Sequence, residues 1–429
     1  MYFCHKFYES LKTTMDVLLK SARIIDPESA YHNKVRDILV SEGVIQILSD
    51  SIIPTGEMQV LENVCVSQGW ADSSVCFGEP GFEERETLIN GMRTAEKSGF
   101  THLLINPLTY PIVDSQSGVV YIKNKTAHCA ATAHPIGALT IESKGEYLSE
   151  LFDMKNGGAV AFGDYKKTIS NSNLLKIALQ YTQSFGGIVI SFPNDTKIMG
   201  KGVVNEHVEA TRLGLKGIPA LAEELIVARD LAILEYTGGK LHIPTISTAK
   251  SAALIKEAKA KGLDVSCSVA IHNLHFTDEV LENFNTNYKV LPPLRDKTNV
   301  QSLREALNEG VIDFVTSDHN PLDVELKFKE FDWAAFGTIG LENAFGVLTQ
   351  YTTIEQAIQL LTAARKRFAI PSSPIVEGTP ADMTLFTLED TSVFTVNDIL
   401  SSSKNSAFIG EKMKGKVVGI IARNQLILN

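Results

Sequence analysis

The chain has 429 residues, 44% hydrophobic and 21% charged, an ordinary globular composition long enough for one large domain and a smaller one. Its formal net charge of -10 argues against electrostatic binding to nucleic acid or anionic lipid, and no apolar run approaches the roughly 18 residues that span a bilayer. Five scattered cysteines (Cys4, Cys65, Cys76, Cys129, Cys267) suggest neither a disulfide framework nor a Cys-x-x-Cys zinc site, which fits a reducing cytoplasm best.

In chain order, residues 1–14 read as an extension or a misassigned start, without the apolar core and small-residue cleavage site of a secretory signal. From Met15 to residue 66, short alternating segments (Val17-Leu18-Leu19, Ile38-Leu39-Val40, Val44 to Leu48) are separated by turn signals such as Asp26-Pro27 and Glu42-Gly43. They predict a small β unit that cannot easily close a core alone. The same texture returns over 375–429, in Asp382 to Phe386, Val417 to Ile421 and Leu426-Ile427-Leu428. The two ends are therefore expected to join in one β-sandwich-like domain.

Between them, over roughly 67–374, apolar strand-like runs alternate with helix-length amphipathic segments. Examples are His102 to Ile105, Gly187 to Ile190, Lys240 to Ile243 and Phe314 to Thr316, interleaved with helical stretches such as 222–236 and 301–309. Such βα alternation predicts a parallel (β/α)8 barrel with functional groups at the C-terminal ends of its strands. A doubly wound open sheet is the rival, lowered by the lack of a Gly-x-Gly-x-x-Gly opening a helix. The run Glu83-Glu84-Arg85-Glu86 reads as the solvated first turn of a helix.

Several motifs fall at the expected strand ends. Asp72, Ser74, Cys76, Gly78 and Glu79-Pro80-Gly81 open the series; Gly217-Ile218-Pro219, Ala228-Arg229-Asp230, Gly238 to Ile243 and Ser247-Thr248 follow; Pro292-Pro293-Leu294-Arg295, Thr316-Ser317-Asp318-His319, Phe336-Gly337 and Gly340-Leu341-Glu342 close it. In this order they resemble the dihydroorotases, a branch of the amidohydrolase superfamily, over nearly the whole chain from Met15. The resemblance implies an amidohydrolase-type (β/α)8 barrel and one or two Zn²⁺ ions whose bound hydroxide opens a cyclic ureide.

The chain departs from that family at the positions that carry the chemistry. The His-x-His of the first strand becomes Ser74 and Cys76; a ligand histidine after the fifth strand becomes Phe192, or Ser191 if the alignment slips by one; another becomes Thr245. Asp164, in Ala161 to Tyr165, and Asp318 remain as carboxylates, Asp318 at the general-base position and His319 beside it at a substrate-binding position. Phe192 has no lone pair, and neutral Ser74 and Thr245 are poor zinc partners. No metal is expected. The arginine that grips substrate carboxylate is Gly78, and polar positions become Leu108, Leu291 and Leu322. The mouth is expected to be packed rather than wet.

Other readings stay open here. Cys76 is a nucleophile activated by a nearby histidine or a small buried hydrophobe. Asp318-His319 is a surviving acid/base pair, or Asp318 bonds neighbouring backbone and keeps a structural place. His272 and His275 recruit a metal with Asp164, Asp318 and Cys76, or sit in a polar loop. The resemblance implies a non-catalytic member that assembles with itself and with aspartate transcarbamoylase in pyrimidine biosynthesis; the competing reading is an active cyclic amide hydrolase with a rearranged zinc site.

Overall fold

The computed structural model describes residues 16–429. The extension expected over residues 1–14, with Cys4, lies outside the described residues.

The first strands, β1 (Val17–Ile24), β2 (Val35–Ser41), β3 (Val44–Ser49), β4 (Gln59–Glu62) and β5 (Cys65–Gln68), precede a run of parallel strands. Those are β6 (Trp70–Val75), β7 (Phe100–Ile105), β8 (Thr132–Gly137), β9 (Ala161–Phe162) and β10 (Ile188–Ile190). A small pair, β11 (Val204–Asn205) and β12 (Gly217–Ile218), interrupts them before β13 (Lys240–Ile243), β14 (Val265–Ala270) and β15 (Phe314–Thr316). The chain ends in β16 (Met383–Val393), β17 (Lys412–Ala422) and β18 (Gln425–Leu428).

Strands from both chain ends form one eight-stranded sheet in the order β18-β17-β16-β5-β1-β2-β3, with β4 paired to β1. Alternation explains it: Val17, Leu19, Ile38, Val40, Val66, Met383, Leu385 and Ile421 turn to one shared core. The second eight-stranded sheet runs β6 to β10 and then β13 to β15, all parallel. Its ends meet, because Cys76 N–H donates to His319 O at 2.8 Å and Asp72 fastens β6 to β15. The Asp72 carboxylate accepts from Ser317 N–H at 2.8 Å and from the Thr316 hydroxyl. This is a TIM-type barrel, and the open-sheet rival falls.

Bulky side chains fill the barrel, with Leu104, Ile136, Ile190 and Phe314 inside and Phe368 and Ile370 packed with them. Polar caps start the helices on the same side as the site: Thr87 caps Leu88–Lys97 through Asn90 N–H, and Thr248 caps Ala249–Ala260 through Ser251 N–H. Gly99 returns the chain from that first helix to β7 at φ +92, where a Cβ would lie 2.7 Å from the Trp70 ring. The acidic run before it differs from expectation. The helix begins only at Leu88, and Glu86 is fully buried, accepting from Ser401 Oγ at 2.7 Å, Ser402 N–H at 2.9 Å and Ser402 Oγ at 2.8 Å. Its charge ties the 400–403 segment to the barrel instead of meeting solvent.

Candidate functional site

At the C-terminal ends of β6, β9 and β15, Ser74, Tyr165, Lys166 and Asp318 converge on a narrow cavity that Asn106, Phe192, His242 and Thr245 also line. Asp318 is 1% exposed and the Lys166 side chain 11%. Lys166 Nζ donates to Asp318 Oδ2 at 2.7 Å, while the Tyr165 and Ser74 hydroxyls donate to Oδ1 at 3.2 and 3.3 Å. Asn106 Nδ2 in turn donates to Ser74 Oγ at 3.0 Å. Burial holds the Asp318 carboxyl above its usual range, and the Lys166 ammonium with the two hydroxyls offsets only part of that shift. The sequence left Asp318 as half of an acid/base pair with His319 or as a structural residue bonded to neighbouring backbone; its carboxylate bonds three side chains from two other strand ends.

The backbone here is held in an uncommon conformation. Tyr165 (φ 24), Lys166 (φ 53), Thr245 (φ 47) and Asp318 (φ 47) all lie at positive φ, at about 1–3 kcal/mol each. Glycine is the residue that takes this conformation without strain, and none of the four is a glycine. Burial and the Asp318 charge push the Tyr165 phenol well above its usual range, and burial pushes the Cys76 thiol up to about 12. Cys76 therefore stays a thiol at neutral pH, which suits the small-hydrophobe reading.

The remaining positions have other partners. The Asp164 carboxylate is held by Thr140, through its N–H at 3.0 Å and its hydroxyl. Phe192 packs with Ile218, Ala222 and Leu291, flanked by Met199 and Phe336, and Leu322 is also buried. Of the three leucines, Leu291 packs with Phe192, while Leu108 is half-buried outside that cluster. Ser191 Oγ donates to Asp230, and Thr245 N–H to Ser268 Oγ at 3.2 Å. His319 accepts at Nδ1 from the N–H groups of Gly340 and Leu341 at 3.3 and 3.4 Å, facing that loop rather than the cavity. His275 lies 2.8 Å from the Tyr351 hydroxyl and 3.1 Å from Glu411 Oε2, and His272 is fully buried, with burial pushing it down to about 3. At Gly78 a Cβ would sit 1.9 Å from Phe82 O, so the local backbone has closed over the place of the arginine.

A family model described as "Dihydro-orotase-like" matches residues 64–251. A dihydroorotase of Pelotomaculum thermopropionicum is 36% identical over 423 residues, covering 96% of this chain and 99% of its own. One of Acetivibrio thermocellus is 37% identical with the same coverage of each chain. The chain belongs to the dihydroorotase-like family. Among solved structures, an L-hydantoinase of Arthrobacter aurescens superposes with a TM-score of 0.85 at 20% identity, over 97% of this chain and 96% of its own. A D-hydantoinase of a Thermus species gives 0.80 at 20%, over 96% and 95%. At that identity they establish the shared fold.

The donor set of this dihydroorotase-like chain does not fit a family-type zinc site. Its two candidate carboxylates are engaged by different partners, Asp164 by Thr140 and Asp318 by Lys166. Among the described residues no group of three or more His, Cys, Asp or Glu side chains is placed to hold a metal, so His272 and His275 do not complete one. Sequence reasoning missed Tyr165 and Lys166. The available signal was their place directly after Asp164, just beyond the end of β9.

Proposed function

We propose that this chain is a dihydroorotase-like protein of pyrimidine biosynthesis that does not open or close the dihydroorotate ring and serves as a structural or regulatory partner of aspartate transcarbamoylase. One observation carries the first half: the Lys166 ammonium lies 2.7 Å from Asp318, so the residue at the general-base position has a fixed cationic partner from its own chain. Asp318 must break that contact before it can accept a substrate proton, and the proposal rests on the contact being kept. The apolar contact of Phe192 with Leu291 and the closed backbone at Gly78 support the same reading, since an anionic substrate finds no donors there. Family membership supports the pathway, and the partner is the one the family resemblance supplies. Among the described residues no helix is long and apolar enough to cross a membrane.

Metal analysis and a dihydroorotate assay on the purified chain, with and without added Zn²⁺, test the first half. The expected result is no stoichiometric zinc and no turnover. Turnover abolished by Asp318→Asn would return the chain to catalysis. Co-purification with aspartate transcarbamoylase from the native host tests the second half, and a chain that never captures it leaves that half without support.

A further inference from the structure

We infer that a second cavity, at the end of the barrel away from the mouth, binds a doubly charged phosphate ester whose phosphate is held by Lys240 and Lys366. This goes beyond the reading of the mouth and depends on no part of it. The first residues of three neighbouring strands, Lys240 of β13, Val265 of β14 and Phe314 of β15, open onto the cavity. The helices Lys297–Asn308, Ile354–Thr362 and Ala364–Arg367 contribute its walls. Its volume is about 720 Å³, inside the roughly 300–1,000 Å³ of sites that take small organic molecules.

The charges around it are unequal. All three lining carboxylates have a cation of their own: Asp264 pairs with Arg367, Asp313 with Lys259 at 2.7 Å and Glu309 with Lys256 at 2.8 Å. Lys240 and Lys366, both exposed to the cavity, are left without a carboxylate among the described residues. With those partners counted, five cations meet three carboxylates. Lys155, near the end of the helix Leu151–Gly157, stands close enough to Lys240 for the two charges to repel, and burial together with that repulsion holds its ammonium below the usual lysine range. In a chain of net charge -10, a surplus of lysines collected at one concave place favours an anion there.

Charge and lining together identify the ligand. Two lysines match the charge of about -1.5 to -2 that a phosphate ester carries at neutral pH, and an ammonium serves phosphate as a point charge. Val265, Ile312 and Leu360 are buried and apolar in the same lining, a floor that a bare anion would leave uncovered and an organic body would cover. On one wall Gln356 Nε2 donates to Asn308 Oδ1 at 3.0 Å, which leaves Gln356 Oε1 as an acceptor and Asn308 Nδ2 as a donor. An uncharged ring with both kinds of polar group suits that pair. Arg367 belongs to the wall itself, since it also donates to Leu241 O at 2.8 Å.

Isothermal titration calorimetry on the full chain tests this with adenosine 5′-monophosphate, ribose 5-phosphate and inorganic phosphate. The nucleoside monophosphate should bind about tenfold or more tightly than inorganic phosphate, and its affinity should fall below about pH 6 as the phosphate takes its second proton. Lys240→Gln and Lys366→Gln should each weaken it about tenfold with an unchanged urea midpoint, because both side chains are exposed. Lys416→Gln, the same change of charge on an exposed position of β17, should leave it unaltered. Ribose 5-phosphate binding as tightly as the nucleoside monophosphate keeps the site and places the recognised body in the sugar. No binding of any of the three up to about 1 mM overturns the inference. So does equal affinity for inorganic phosphate and both esters, which is general attraction of anions, and so does binding indifferent to both lysines. Zinc content and turnover are measured separately, so failure here leaves the non-catalytic reading standing.

Discussion

Two buried polar clusters lie near one another at the top of this barrel, and they satisfy their charges from different sources. In the first, Arg295, 2% exposed, donates to Ser247 Oγ at 3.0 Å, Asn205 Oδ1 at 2.9 Å and Ile218 O at 3.0 Å, and lies 3.8 Å from Glu223. Glu223 also accepts from Ser247 and Thr248 N–H at 2.9 and 3.0 Å. Every partner belongs to the protein, and Arg295 and Ser247-Thr248 are family motif residues. In the second, Asp318 has Ser74, Tyr165 and Lys166 as partners, the first of which stands where the resemblance implies a histidine. Motifs whose bonds close within the chain keep the family identity. The position whose family partner is a metal ion holds its charge here with a lysine. A buried carboxylate needs a cation, and either source meets that requirement.

Breaking the first cluster should have the larger effect. Arg295→Met leaves Glu223 buried with the Ser247 hydroxyl and two backbone N–H groups but no cation, and removing one member of a buried pair costs about 3–5 kcal/mol. Urea denaturation at neutral pH reads it, and a loss below about 1 kcal/mol would place the charge of Arg295 outside the stability of the brace. The second cluster should follow with a loss of about 3 kcal/mol for Lys166→Met, since Asp318 then keeps only two hydroxyl partners. Its signature is rescue. Lys166→Met with Asp318→Asn should recover most of that loss, because a neutral amide needs no counter-ion. A double variant as unstable as the single one would show that the lysine stem, and not its charge, supports the mouth.

The sequence carried the frame further than the mouth. Period-two alternation made the end strands legible, and βα alternation made the barrel legible, since both reflect burial along a regular element. That Asp72 joins the first strand to the last was not legible, because closure depends on two positions 244 residues apart. Ser74, Cys76, Phe192 and Thr245 stand for missing ligands through the family resemblance alone. What replaced them was not legible, because the place of Lys166 depends on a left-handed backbone at φ 53 that follows β9. The Glu83 to Glu86 run misled for a similar reason: local charge suggested solvent, and the buried partners of Glu86 come from 400–403, far along the chain.

The smallest effect separates paired charge from a buried neutral group. His242, 2% exposed, lies on the floor of the mouth cavity, 2.9 Å from Ser266 Oγ and stacked on Phe314 at 5.1 Å between ring centroids. Burial pushes it down to about 3, well below the value near 6.5 of an unfolded histidine. The unfolded chain therefore binds this proton before the folded one, so the contribution of His242 is complete above about pH 6.5 and is lost progressively as pH falls toward 3. By pH 5 one such histidine removes about 2 kcal/mol. Arg295 is a cation throughout this range. Stability measured by urea denaturation between pH 7.5 and 5 should therefore decline less steeply in His242→Gln than in the parent, by about one proton, while Arg295→Met keeps the parent slope on a lower baseline. Equal slopes in the parent and His242→Gln would mean that His242 is protonated, or in contact with water, within the folded barrel.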